Sequence, residues 1–148
     1  MKLSFFIFLL FSIACVSEHS TATPTSPQQA IQGSTVSFGG KTFLVELADT
    51  LEQRRRGLMF RTELAKDKGM LFSYDQESLH SIWMKNTKIP LDVVWISKDL
   101  RIVDKQTLYP CTSEPCPIFR PAQQAQFILE IAKDAYSGTI GEQVTIQR

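Results

Sequence analysis

Six residues near the middle of the chain, Leu91-Asp92-Val93-Val94-Trp95-Ile96, constrain its fold more than any other segment. In an extended strand alternate side chains point to opposite faces, so Leu91, Val93 and Trp95 share one face while Asp92, Val94 and Ile96 share the other. Both faces are apolar, and a strand of that kind is one a fold buries. The same alternation makes Asp92 the strongest local anomaly. At or just inside the rim of a core an ionised carboxylate costs several kcal/mol unless it is paired. Lys85, Asn86 and Thr87 stand just across the preceding turn, and Arg56 or Arg61 can approach from a helical region. Two readings of Asp92 stand side by side. It either locks the turn by accepting hydrogen bonds, as buried polar groups generally do, or works at the rim as a general base or ligand hook.

Around this strand the sequence predicts further short ones. Thr35-Val36-Ser37-Phe38 and Thr42–Leu47 alternate on either side of Gly39-Gly40, the pattern of a hairpin. Next comes a two-turn helix, opened by a capping box of Asp49 with Glu52 or Thr50 with Gln53 and ended at Gly57. Met70-Leu71-Phe72 and His80–Lys85 are strand candidates, and Asn86–Pro90 is a turn. Leu91–Ser97 returns through Lys98-Asp99 into Leu100–Val103, and the elements from Met70 to Val103 together are expected to form a meander. Tyr109–Pro121 holds four prolines and two cysteines and reads as a loop. Phe127–Ile131 and Val144–Ile146 are the last strands, flanking a short helical stretch at Lys133–Ser137. The expected fold class is α+β: a compact, β-rich domain over 34–148 with about eight strands and two short helices, its sheet curled or barrel-like to leave few unpaired edges.

Composition decides what precedes the domain. Lys2 is followed by an apolar run from Leu3 to Ala14, the order of a secretory signal peptide over residues 1–14 and too short for a spanning helix, which needs about 20 apolar residues. Ser12-Ile13-Ala14-Cys15 resembles the lipobox of bacterial lipoproteins, which implies lipid on Cys15; cleavage by an ordinary signal peptidase is the alternative. Residues 15–33, rich in Ser, Thr, Pro and Gln, read as a flexible stalk reaching roughly 20 Å. The expected location is therefore the cell envelope or periplasm, with the membrane held through lipid. Lys2 is the sole charge in the first fourteen residues, so the remainder carries fifteen basic and fifteen acidic side chains. A balance of that kind gives no electrostatic footprint for nucleic acid. With Cys15 set aside, Cys111 and Cys116 remain, close together in an exported chain, and read as a disulfide.

Few residues suggest chemistry. His80 is the sole histidine of the domain, and a lone histidine at a strand start is more often structural than catalytic. A metal site from His80, Asp92 and reduced cysteines runs against an oxidising compartment, so neither metal nor cofactor is expected. There is no glycine-rich phosphate loop and no G-x-S-x-G elbow. The Arg54-Arg55-Arg56 run reads as a solvated face.

Arg56-Gly57-Leu58-Met59-Phe60-Arg61, then Gly69-Met70-Leu71-Phe72, then the run from Ser81 through Ile96, resemble the bacterial and archaeal family called domain of unknown function 192 in order and spacing. The Pro110-Cys111 and Pro115-Cys116-Pro117 pairs and the Leu129-Glu130 strand resemble it too; Lys133-Asp134-Ala135 stands where the family usually has a glycine, and Ile82 where an aromatic is common. The resemblance implies envelope residence and a small β-rich domain, and carries no established reaction. The expected function is a non-enzymatic module that binds an envelope protein or small ligand along the Trp83–Asp92 edge, with Trp83, Asn86, Asp92, Arg56 and Arg61 as contacts. The competing expectation is an envelope hydrolase or transferase with Asp92 as general base and Lys85, Asn86 or His80 assisting.

Overall fold

The computed structural model describes residues 33–136 and 138–148. The expected signal peptide, the Cys15 lipid site and all of the stalk but Gly33 lie outside the described residues. Among those described, the elements run β1 (Ser34–Phe38), β2 (Lys41–Ala48), α1 (Leu51–Arg56), β3 (Lys68–Ser78), β4 (Ile82–Trp83), β5 (Leu91–Ile96), β6 (Ile102–Leu108), β7 (Ile118–Phe119), β8 (Ala125–Ala132) and β9 (Thr145–Gln147). Seven strands make one sheet in the order β6-β5-β8-β3-β2-β1-β9, and β4 pairs with β7 in a separate ribbon. β2 and β3 are parallel; the other pairs are antiparallel.

Local chemistry accounts for the connections. Gly39 and Gly40 both take positive φ, 54° and 72°, as a two-residue turn between twisted strands demands. The parallel step from β2 to β3 cannot be made by a hairpin, so the chain crosses over through α1. Of the two capping boxes the sequence offers, Thr50 with Gln53 is the one formed: Thr50 Oγ1 accepts from the Gln53 amide at 3.2 Å, and Gln53 Oε1 accepts from the Thr50 amide at 2.9 Å. The helix buries none of its own residues. It delivers Leu58, 2% exposed, to the core just beyond its end.

β5 is buried along its whole length between β6 and β8. Its two faces feed two apolar layers, as its alternation requires. Val94 and Ile96 join Val36, Phe43, Leu71, Leu129 and Ile131 on one side of the sheet. Leu91, Val93 and Trp95 join Leu58, Phe72, Met84 and Ile128 on the other. Among the described residues both layers are drawn from 36–146, inside one compact unit.

Three expectations are corrected. The helical stretch at Lys133–Ser137 is a turn over its described part: Asp134 sits at φ 61°, a left-handed conformation no α-helix contains, which leaves α1 as the one helix among the described residues. The sheet is not a closed barrel. The chain touches the start of β6 through the bridge between Arg101 and Gln143, then leaves it after Val144 to pair with β1, so β6 and β9 share no ladder. The strands also fail to follow one another as a meander, because β8 inserts between β3 and β5, pairing Leu129 with both Leu71 and Val94. β6 runs on to Leu108 through the polar Asp104–Thr107, which an edge strand tolerates and a simple apolar count passes over.

Candidate functional site

Asp92 lies on β5 directly opposite Thr107 of β6 and Ile131 of β8. It is 3% exposed, and both oxygens are engaged: Oδ1 accepts from Thr107 Oγ1 at 2.6 Å and Oδ2 from the Asp134 amide at 2.9 Å. The second bond holds the left-handed turn that ends β8, at the segment where the family resemblance leads one to expect glycine. Asp92 lines none of the clefts described below. Its geometry is that of a carboxylate locking a turn.

The opposite face of the sheet holds a second acid, which reading the sequence for anomalies passed over. Glu130 on β8 stands between Met70 of β3 and Val93 of β5 and is 5% exposed. Burial alone pushes its carboxyl up from the ordinary 4.5 to about 8, since no donor or opposite charge among the described residues relieves it. The group is protonated at neutral pH and can donate a hydrogen bond. Its signal was available: Phe127-Ile128-Leu129-Glu130-Ile131 is apolar on both sides of one acid, the pattern that singled out Asp92.

Glu130 forms part of the floor of a narrow slot of about 20 Å³, room for one water-sized group. Leu58, Phe72 and Ile82 give it apolar walls, and Thr87, 7% exposed, adds a hydroxyl. Arg54, Arg55, Arg56, Gly57, Met59, Trp83 and Lys85 complete the lining. Arg54 is committed to structure, donating to the Ser73 carbonyl at 2.9 Å and lying 4.9 Å over the Tyr74 ring. Lys85 pairs with Glu114 at 3.2 Å and lies 5.6 Å over Trp83. Two loops frame this mouth, and both contain left-handed backbone: Gly57 at φ 46° and Phe60 at 67° in one, Asn86 at 57° in the other. The Phe60 amide donates to the Asn86 carbonyl at 2.8 Å, so the two loops are clipped together at their strained positions.

Trp83, Lys85 and Arg56 therefore converge with Glu130, and Asn86 braces the mouth from behind. The other candidates sit elsewhere. Arg61 makes a bidentate pair with Glu46, 2.6 Å at each contact, in a separate cleft of about 700 Å³ that also includes Gly33, Glu63 and Lys68. That pair lowers the Glu46 carboxyl through the hydrogen bond from Arg61. His80 stacks on Tyr74 with ring centroids 3.5 Å apart, and its Nε2 donates to the Gln76 carbonyl at 2.9 Å. Cys111 and Cys116 are joined, with Cα atoms 5.7 Å apart, in a loop bordering a polar cleft of about 360 Å³ beside Lys85 and Asn86. Another open cleft, about 740 Å³, is rimmed by Tyr74, Lys98 and Arg148. These wide clefts present paired or solvated groups, whereas the small slot holds the buried acid. Among the described residues no three His, Cys, Asp or Glu side chains are arranged to hold a metal.

Residues 34–146 match the family described as Uncharacterized ACR, a domain of unknown function. Among solved structures, a protein of unknown function from Novosphingobium aromaticivorans DSM 12444 is 30% identical, with a TM-score of 0.68 over 76% of this chain and 82% of that one. A Sinorhizobium meliloti 1021 protein provisionally named a transcription regulator is 28% identical, with a TM-score of 0.68 over 76% of this chain and 91% of that one. No curated protein matches the chain.

Proposed function

The chain belongs to the domain of unknown function 192 family, and from that premise we propose that its domain is a non-catalytic binding module whose site is the slot over Glu130. One observation carries the reading. A glutamic acid 5% exposed, without a partner among the described residues, stands at the floor of a slot whose mouth is framed by Trp83 and Lys85. Among the described residues no fully buried side-chain oxygen or nitrogen lacks a partner, so the unbonded Glu130 carboxyl opens into the slot, where a ligand group can add a hydrogen bond that contributes about 1 kcal/mol. The slot admits the neutral polar tip of a small molecule, a hydroxyl or an amide oxygen, while the ligand's body lies against Trp83. The competing reading, an envelope hydrolase or transferase with Asp92 as base, draws no support from an acid whose oxygens already serve Thr107 and Asp134. The reading includes export of the chain and lipid attachment at Cys15, which would hold the module at a membrane.

The test is an amide-resolved NMR titration of the full chain with a panel of envelope sugars and short acylated peptides. Binding is expected to shift Gly57, Thr87 and the Trp83 indole, to disappear in Glu130→Leu, which keeps the volume and removes the polar atoms, and to survive in Glu130→Gln. Shifts confined to the cleft around Arg61, or binding indifferent to Glu130→Leu, would sink the proposal.

A further inference from the structure

We infer that the outer rim of the slot is a docking surface for an anionic lipid bilayer. Three large apolar side chains are exposed there: Phe60 at 63%, Trp83 at 45% and Ile118 at 62%. Ile118 is the cross-strand partner of Trp83 in the β4–β7 ribbon, and Phe60 follows Met59, which lines the slot together with Trp83. Arg55, Arg56 and Lys85 stand among them, and the sole acid lining the slot is the buried, protonated Glu130. Glu114 offsets Lys85, which leaves the two arginines as the net positive charge of the rim.

Rings and long basic side chains side by side suit a water–membrane boundary: the rings enter the head-group layer while the guanidinium groups meet lipid phosphates. The backbone holds one of these rings outward at a cost. Phe60 is a bulky residue at φ 67°, clipped there by Asn86, and nothing in either core requires a ring 63% exposed. The surface stands independently of the ligand proposed for the slot.

Trp83 supplies the readout. Of the two tryptophans Trp95 is fully buried, so a change in emission on docking belongs to Trp83. The chain from Gly33 onward, which contains both cores and no acylation site, is mixed with phosphatidylglycerol-rich vesicles, with phosphatidylcholine vesicles and with inorganic phosphate alone. Sedimentation with the anionic vesicles and a blue-shifted Trp83 emission are expected, with little of either on phosphatidylcholine or phosphate. Arg55→Gln with Arg56→Gln, both on the exposed helix end, should weaken partitioning on the order of 30-fold. Glu130→Leu should leave it unchanged, which separates failure here from failure of the slot reading. Three results overturn the inference: no partitioning into anionic vesicles, partitioning undiminished in the double variant, or a blue shift produced equally by phosphate or by self-association without lipid.

Discussion

Asp92 and Glu130 are two buried acids on adjacent strands, and they differ in what surrounds them. Asp92 accepts from a hydroxyl and from an amide. Replacing it with alanine strands both donors, and the domain should lose about 3 kcal/mol by denaturant midpoint. Asp92→Asn should cost less, about 1 kcal/mol, because its oxygen can keep the Asp134 amide while the Thr107 hydroxyl turns to accept. Equal losses in the two variants would contradict that account. Glu130 behaves in the opposite sense with pH. Its folded pKa, about 8, lies above the unfolded 4.5, so between these values the folded state holds a proton that the unfolded state has released. Stability therefore falls as pH rises from about 4.5 to 8 and levels off beyond. The full effect is at most about 5 kcal/mol. Thermal melting of wild type and Glu130→Gln from pH 5 to 9 should show this slope in the wild type alone, with the variant melting higher at pH 9. Parallel profiles would remove Glu130 as the titrating group. Both acids were open to the same sequence argument, a carboxylate inside a strand apolar on both faces, yet their chemistry diverges because one meets donors across the sheet and the other does not.

At the scale of the element, α1 shows how little a helix needs to bury in order to matter. Its capping box was legible in Thr50-Leu51-Glu52-Gln53, as was the glycine that ends it. The sequence did not show that the helix serves as the crossover of a parallel pair, with residues 57–59 as one wall of the slot. Gly57 adopts φ 46° and ψ −137°, a region essentially closed to residues with a Cβ. A Cβ there would also stand 3.2 Å from the tip of the Phe72 ring. Gly57→Ala should cost about 2 kcal/mol and broaden the NMR signals of Met59, Phe60 and Asn86 before those of β5. A neutral substitution would mean the loop relaxes freely and the slot's wall is not held by its backbone. The β5–β6 hairpin was read correctly as a pair, but its length was not, since the polar run Asp104–Thr107 is decided by its place at an edge.

At the scale of the whole molecule, fifteen basic and fifteen acidic side chains beyond Ala14 describe a neutral protein. A total does not describe a distribution. The fold removes Glu130 from the charge count by burying it, pairs Arg61 with Glu46, and leaves Arg55 and Arg56 beside Trp83. Lipid at Cys15 and the basic, aromatic rim would respond differently to salt, because exposed charges are screened and an acyl chain is not. Membrane-associated protein of the unaltered chain should resist extraction in high salt. Cys15→Ser should convert it to a salt-extractable form, and a variant that stayed salt-resistant would exclude lipid as the tether.

The sequence by itself determined the β-rich class, the central buried strand, the hairpin at Gly39-Gly40, the helix cap and the nearness of Cys111 to Cys116, because each rests on periodicity, turn chemistry or short spacing within a few residues. Tertiary structure decided the rest: that β8 enters between β3 and β5, that the sheet stays open, that Asp134 turns instead of starting a helix, and that Glu130 rather than Asp92 faces a slot. These depend on which distant strand becomes a neighbour, and that choice determines whether a buried acid finds a donor.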